Sequence, residues 1–121
     1  MTLLDGKIDQ HELIDFFGVL PTVDEDEVCE HYVVADKYVT LRSAFCYDGI
    51  YLSISKHGRE DTLFSTQFDG DFKLDRISEN NGYDCLELTI PHLDNEWNAD
   101  WHNIFKIKIF ITPNIRVELT R

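Results

Sequence analysis

Apolar and polar residues alternate with period two along most of this chain. Such alternation marks strands with one buried and one solvated face. Ile50, Leu52 and Ile54 alternate with Tyr51, Ser53 and Ser55, and Leu86, Leu88 and Ile90 with Cys85, Glu87 and Thr89. Phe105, Ile107, Ile109 and Ile111 alternate largely with Lys106, Lys108 and Phe110. Ile115, Val117 and Leu119 alternate with Arg116, Glu118 and Thr120. Only residues 8–18 follow a different period: Ile8, Leu13, Ile14, Phe16 and Phe17 recur at helical spacing, and Gly18 followed by Pro21 supplies a stop. Asp9 with Glu12 three residues later reads as a variant capping box. The pattern predicts a helix over 8–18 and strands near 28–35, 38–47, 50–56, 62–68, 72–77, 83–90, 101–111 and 115–120.

Turn residues join these strands. Asp48-Gly49 signals a two-residue hairpin, with Phe45 opposite Leu52 and Tyr47 opposite Ile50 on one face. At Asp69-Gly70 a two-residue loop would split the apolar faces, so a three-residue loop, 69–71, with Phe68 opposite Phe72, is preferred. Thr112-Pro113-Asn114 sets Ile111 opposite Ile115 and Ile109 opposite Val117. Asn80-Asn81-Gly82 and His57-Gly58 mark further turns. The expected fold is mainly β (α+β): an antiparallel β-sandwich or curved meander sheet of about eight strands with one N-terminal helix. The helix is expected to cover one end or an open edge. The chain of 121 residues suits a single domain, 1–121, with helix 8–18 followed by antiparallel β structure over 28–120. A long edge strand such as 101–111 would invite pairing between copies, and the oligomeric state stays open.

Charge changes this picture more than any motif does. Twenty-three acidic residues face eleven basic ones, for a net charge of −12. Such a field repels nucleic acid and anionic membranes and attracts basic partners. It also exceeds the magnitude of about 2–8 that solubility asks of a small domain. Asp24-Glu25-Asp26-Glu27, with Glu30 close behind, is the densest acidic run and the first candidate docking patch for a basic protein. The second lies in the irregular stretch 91–101, where Asp94, Glu96, Trp97 and Asp100 combine an interface-type tryptophan with carboxylates. The same stretch could stack on a sugar, which makes a carbohydrate-binding β-sandwich the alternative reading. Trp101 reads as a core residue at the head of its strand.

Catalytic and metal chemistry find little support. No G-x-S-x-G, Walker loop, H-E-x-x-H or dinucleotide fingerprint occurs. His92, Asp94 and His102, and the cluster Asp69, Asp71 and Asp75, match no ligand spacing with a mechanism. The expectation is a non-enzymatic binding protein with no metal and no cofactor. Residues 1–10 contain Asp5 and Asp9 and no apolar stretch of the signal-peptide kind. Cys29, Cys46 and Cys85, odd in number and widely spaced, argue against a disulfide framework and read as reduced strand residues. Cytoplasmic residence is the corresponding expectation.

Phe17-Gly18-Val19-Leu20-Pro21, followed by Asp24-Glu25-Asp26-Glu27-Val28 and then strand pairs, resembles the opening of a family of small acidic bacterial toxin-immunity proteins. In that family an aromatic-Gly-x-Pro segment leads to Asp-x-Glu-Val and a β meander. Here the spacing from Gly18 to Pro21 is longer, and no histidine precedes the acidic pair. The similarity covers the first third of the chain. It implies an immunity protein that neutralises a basic, nuclease-type toxin by setting an acidic surface against a phosphate-binding site. The implied partner is a basic toxin domain, with no direct binding to nucleic acid and none to membrane.

Overall fold

The structure, a computed structural model, describes residues 10–23, 29–46, 49–58, 61–69, 72–78, 82–93 and 99–120. Among these residues one helix, α1 (Gln10–Phe17), precedes nine strands: β1 (Thr22–Val23), β2 (Cys29–Ala35), β3 (Val39–Cys46), β4 (Gly49–Lys56), β5 (Thr62–Asp69), β6 (Lys73–Ser78), β7 (Asp84–Leu93), β8 (Ala99–Phe110) and β9 (Arg116–Thr120). They form two antiparallel sheets, β1-β2-β3-β4-β5 and β6-β7-β8-β9, in strict sequence order. The chain crosses from one sheet to the other between β5 and β6. The expected mainly β, antiparallel architecture is what the structure shows.

Tyr32, Leu41, Phe45, Ile50 and Leu52 of the first sheet and Leu74, Leu86, Leu88, Ile107 and Ile109 of the second belong to one core. The inner faces meet as the alternation predicts, but Cys85 and Phe110, paired at outward positions of β7 and β8, are buried as well, and the Arg116 guanidinium covers the Phe110 ring at 3.9 Å. α1 closes the core beside β2 and β6. It buries Leu13, Phe16 and Phe17, and the Phe17 ring stacks on Tyr32 with centroids 4.9 Å apart. A helix of eight residues is too short to hold by itself, so this packing sustains it. Gly18 ends it at a φ of 73°, where the Gly18 N–H donates to the Ile14 carbonyl at 2.8 Å. The expected helix cap at Asp9 lies outside the described residues.

Several expectations are corrected. Cys29 and Cys46 stand directly opposite each other on β2 and β3 and form a disulfide, with Cα atoms 4.1 Å apart. Their separation of 17 residues is wide along the chain but nil across the hairpin, and spacing alone hides that. The bond adds about 3 kcal/mol by limiting the unfolded chain. It also removes cysteine usage as support for a reducing compartment. Cys85 is buried and takes no part in a disulfide among the described residues.

The β3–β4 hairpin pairs Phe45 with Ile50 and Cys46 with Gly49, two residues away from the expected register. The displacement is even, so every side chain keeps its face. Phe68 and Phe72 are not opposite each other in a hairpin, because the 70–72 link joins the two sheets; both pack against the shared core. Thr22–Val23 forms a short added strand on β2. The long strand β8 is not an edge over Lys106–Phe110, where β7 and β9 flank it. The Thr112–Asn114 turn does give Ile109 opposite Val117.

Candidate partner-binding surface

Because each strand runs antiparallel to the next, successive connections emerge at alternate ends of the molecule. Cys29, Cys46, Gly49 and Asp69 form one row across the first sheet. The strand ends that bracket 24–28, 47–48 and 70–71 therefore share one end. The short link from Asp69 to Lys73 carries this end onto the second sheet, where the Lys73, Thr89, Lys106 and Thr120 row sits. Phe68 of β5 and Phe105 of β8 meet across the core at 5.8 Å near this end. β7 and β8 extend past that row, so the strand ends bracketing 94–98 belong to the same end.

The strand ends that bracket 36–38, 57–61, 79–83 and 111–115 share the other end. Asp36 fastens it. Its carboxylate accepts the Tyr38 and Val39 N–H groups at 2.7 and 2.9 Å and the Ile115 N–H at 3.0 Å. A β2–β3 turn residue thereby holds the β8–β9 connection of the opposite sheet. Those backbone donors, Ile115 first, keep the Asp36 pKa below the ordinary carboxylate value.

Charge divides along the same line. Segments 24–28, 47–48, 69–71 and 94–100 contain ten carboxylates and no lysine or arginine. The connections at the far end contain four carboxylates against Lys37 and Arg59. Elsewhere acids are matched by bases. Arg76 Nη1 donates to Asp15 Oδ2 and Glu12 Oε2 at 2.7 and 3.1 Å, and its Nη2 to Asp84 Oδ2 at 2.7 Å. On the outer face of the second sheet Glu87 meets Lys106 at 3.2 Å and Lys108 at 4.0 Å, and Arg116 meets Glu118 at 2.8 Å. The regular elements are close to electroneutral, and the surplus negative charge resides in the connections.

Of the site residues expected from sequence, Asp24, Glu25, Asp26, Glu27, Asp94, Glu96 and Trp97 lie outside the described residues. Asp100 falls in β8, opposite His92. Glu30 is one residue inside β2, and its carboxylate accepts a hydrogen bond from Gln10 of α1. It ties the start of the helix to the sheet, which is a structural duty the sequence did not announce. Asp69, which sequence reasoning took for a turn residue, ends β5 opposite Gly49 in the row at this end, and Asp48 and Asp71 lie outside the described residues. The signal for that placement was present: in an up-and-down meander every second connection emerges together. The tryptophan of β8, Trp101, is placed in the strand as expected. Among the described residues no group of three or more His, Cys, Asp or Glu side chains could hold a metal ion, and no helix is long and apolar enough to cross a membrane.

No protein-family model matches this sequence, and no curated protein does. Among solved structures, a chain of the contact-dependent growth inhibition toxin–immunity protein complex from Klebsiella pneumoniae 342 is similar in fold. The TM-score is 0.77 at 21% identity, over 99% of this chain and 98% of that one. The resemblance read from residues 17–28 thus has a counterpart in the fold of the whole chain. At that identity the likeness is one of architecture, and function has to be argued from charge and geometry.

Proposed function

We propose that this protein is a non-enzymatic immunity protein that neutralises a basic, nuclease-type bacterial toxin. The observation that carries the reading is the convergence of strand ends bracketing ten base-free carboxylates on one end of the molecule. A toxin that holds nucleic acid needs a cationic cleft, and a carboxylate-rich surface competes for it as a phosphate backbone would. The similar solved chain comes from a complex of toxin and immunity protein, and the net charge of −12 favours the immunity side of such a pair.

In this mechanism Asp24, Glu25, Asp26 and Glu27, with Asp94, Glu96 and Asp100, steer the toxin in and cover its cleft. Trp97 supplies an apolar anchor. The pairing of Cys29 with Cys46 across β2 and β3 sets the strand ends from which the 24–28 and 47–48 segments depart. The protein acts in the cytoplasm, where an incoming nuclease meets its substrate, and the proposal includes that location.

The test uses a toxin domain captured with this protein by pull-down from its native host. Co-expression should restore growth, and purified proteins should associate fast at low salt. Changing Asp24, Glu25, Asp26 and Glu27 together to Asn and Gln should slow association about 10-fold or more at low salt and flatten its salt dependence. An unchanged association rate, or growth rescue that does not need these side chains, would overturn the acidic-surface mechanism.

A further inference from the structure

β5 is the outermost strand of the five-stranded sheet and, among the described residues, pairs only with β4. From Thr62 to Phe68 it contains no charged residue and no proline. The other edge strands carry the usual protections, although among the described residues β1 covers only Glu30 and His31 of β2 and leaves positions 32–35 uncovered. β1 is two residues long, β6 bears Lys73, Asp75 and Arg76, and β9 bears Arg116 and Glu118. β5 has a bulge against β4 near its start, between the Ser55–Thr62 and Ile54–Phe64 pairs, and Leu63 there is 64% exposed. Beyond it, Phe64–Phe68 runs in regular register.

A second observation points the same way. The outward positions of this sheet, which include Val33, Arg42, Tyr51, Ser53, Ser65 and Gln67, hold no carboxylate short of Asp69 at the acidic end. Val33 and Tyr51 are 50% and 40% exposed. Arg42 donates to Ser55 Oγ at 3.0 Å. In a molecule with twenty-three acidic residues, this face offers another strongly negative chain an approach whose carboxylates, Asp61 and Asp69, stand only at the two ends of the edge strand.

We infer that β5 is a self-association edge: it pairs antiparallel with β5 of a second copy, so that two five-stranded sheets become one of ten strands. Continuity of inner and outer faces requires opposed residues of like parity. Centring the pair on Thr66 satisfies this. It sets Phe64 opposite Phe68 of the second copy on the inner face and Ser65 opposite its Gln67 on the outer face. The antiparallel arrangement also sends the two acidic ends in opposite directions, which minimises repulsion between the copies and leaves both ends open to other partners. This inference does not depend on the immunity reading.

Sedimentation equilibrium from micromolar to millimolar concentration tests it. The mass should rise from 14.2 kDa towards twice that value, and more readily with added salt, because screening relieves repulsion between the copies. Two double variants at outward positions sharpen the test. S65E/Q67E and S65K/Q67K should each remain monomeric, since like charges then oppose each other across the edge, and their mixture should recover the doubled mass. Thermal unfolding checks that each remains folded. A wild type that stays at monomer mass throughout, a lysine variant that associates as well as wild type, or folded variants whose mixture gains nothing would each overturn the inference.

Discussion

Asp36 joins two sheets through one carboxylate, and nothing near it in the sequence says so, because its Ile115 partner lies 79 residues away. Its lowered pKa means that the folded state favours the charged form. The resulting stability is fully present above the unfolded value of 3.8 and is lost as pH falls through the lower folded value. Asp36→Asn should cost about 1–3 kcal/mol at neutral pH, because one backbone N–H loses its acceptor. Urea unfolding should show that penalty shrinking in strong acid, where the wild-type carboxyl is also neutral.

Tyr32 presents the opposite case. Its ring packs between Phe17 and Phe45, but its hydroxyl is buried with no hydrogen-bond partner of normal geometry among the described residues. Burial first, then the Glu30 carboxylate, pushes the phenol above its ordinary pKa. Tyr32→Phe should therefore raise stability by about 1 kcal/mol at neutral pH. It should also lessen the loss that wild type suffers above pH 10.0, where the unfolded phenol ionises and the folded one resists. Both effects are read from chemical unfolding at two pH values. The apolar alternation marks Tyr32 as core, whereas the isolation of its oxygen depends on neighbours that only the fold assembles.

At the scale of elements, α1 is held to the second sheet by Arg76, which sits on the inward side of β6 opposite Leu86. Its guanidinium lies 5.7 Å from the Phe16 ring, and Asp15 ahead of Asp84 and Glu12 holds it in the charged form. Arg76→Ala would take one shared cation away from three carboxylates, Glu12, Asp15 and Asp84. We expect a loss of about 2 kcal/mol, with the discount appropriate to partly exposed pairs, and early loss of helical circular dichroism on heating. Arg76→Lys should recover part of it. The boundaries of the expected strands were legible from alternation to within two residues, except that β7 runs on to Leu93, three past its expected end, and the two-residue β1 was not foreseen. Register was legible only to parity at Asp48-Gly49, because a shift of two residues changes no face and so leaves no mark in the hydrophobic pattern. At Thr112–Asn114 the loop length removed that freedom, and the register came out in full.

The whole molecule is an up-and-down meander whose alternate connections carry most of the charge imbalance. Two associations with opposite salt responses are expected from it. Capture of a cationic toxin by the acidic end weakens as salt rises, and pairing of like-charged copies through β5 strengthens. Titrating salt in both assays on one preparation separates the two surfaces. If both follow the same trend, the electrostatic division of the molecule is wrong.

The amino-acid sequence by itself determined the class of fold, the strands and their inner faces, and the excess of negative charge. Those depend on local periodicity and composition, which need no knowledge of distant contacts. Only the tertiary structure decided that the chain changes sheets after β5, that Cys29 meets Cys46, that Arg76 and Asp36 bind partners far along the chain, and which strand is left as an edge. Each of these follows from how the elements pair in space, and pairing between elements is chosen by total burial and chain connectivity rather than by any short stretch of sequence.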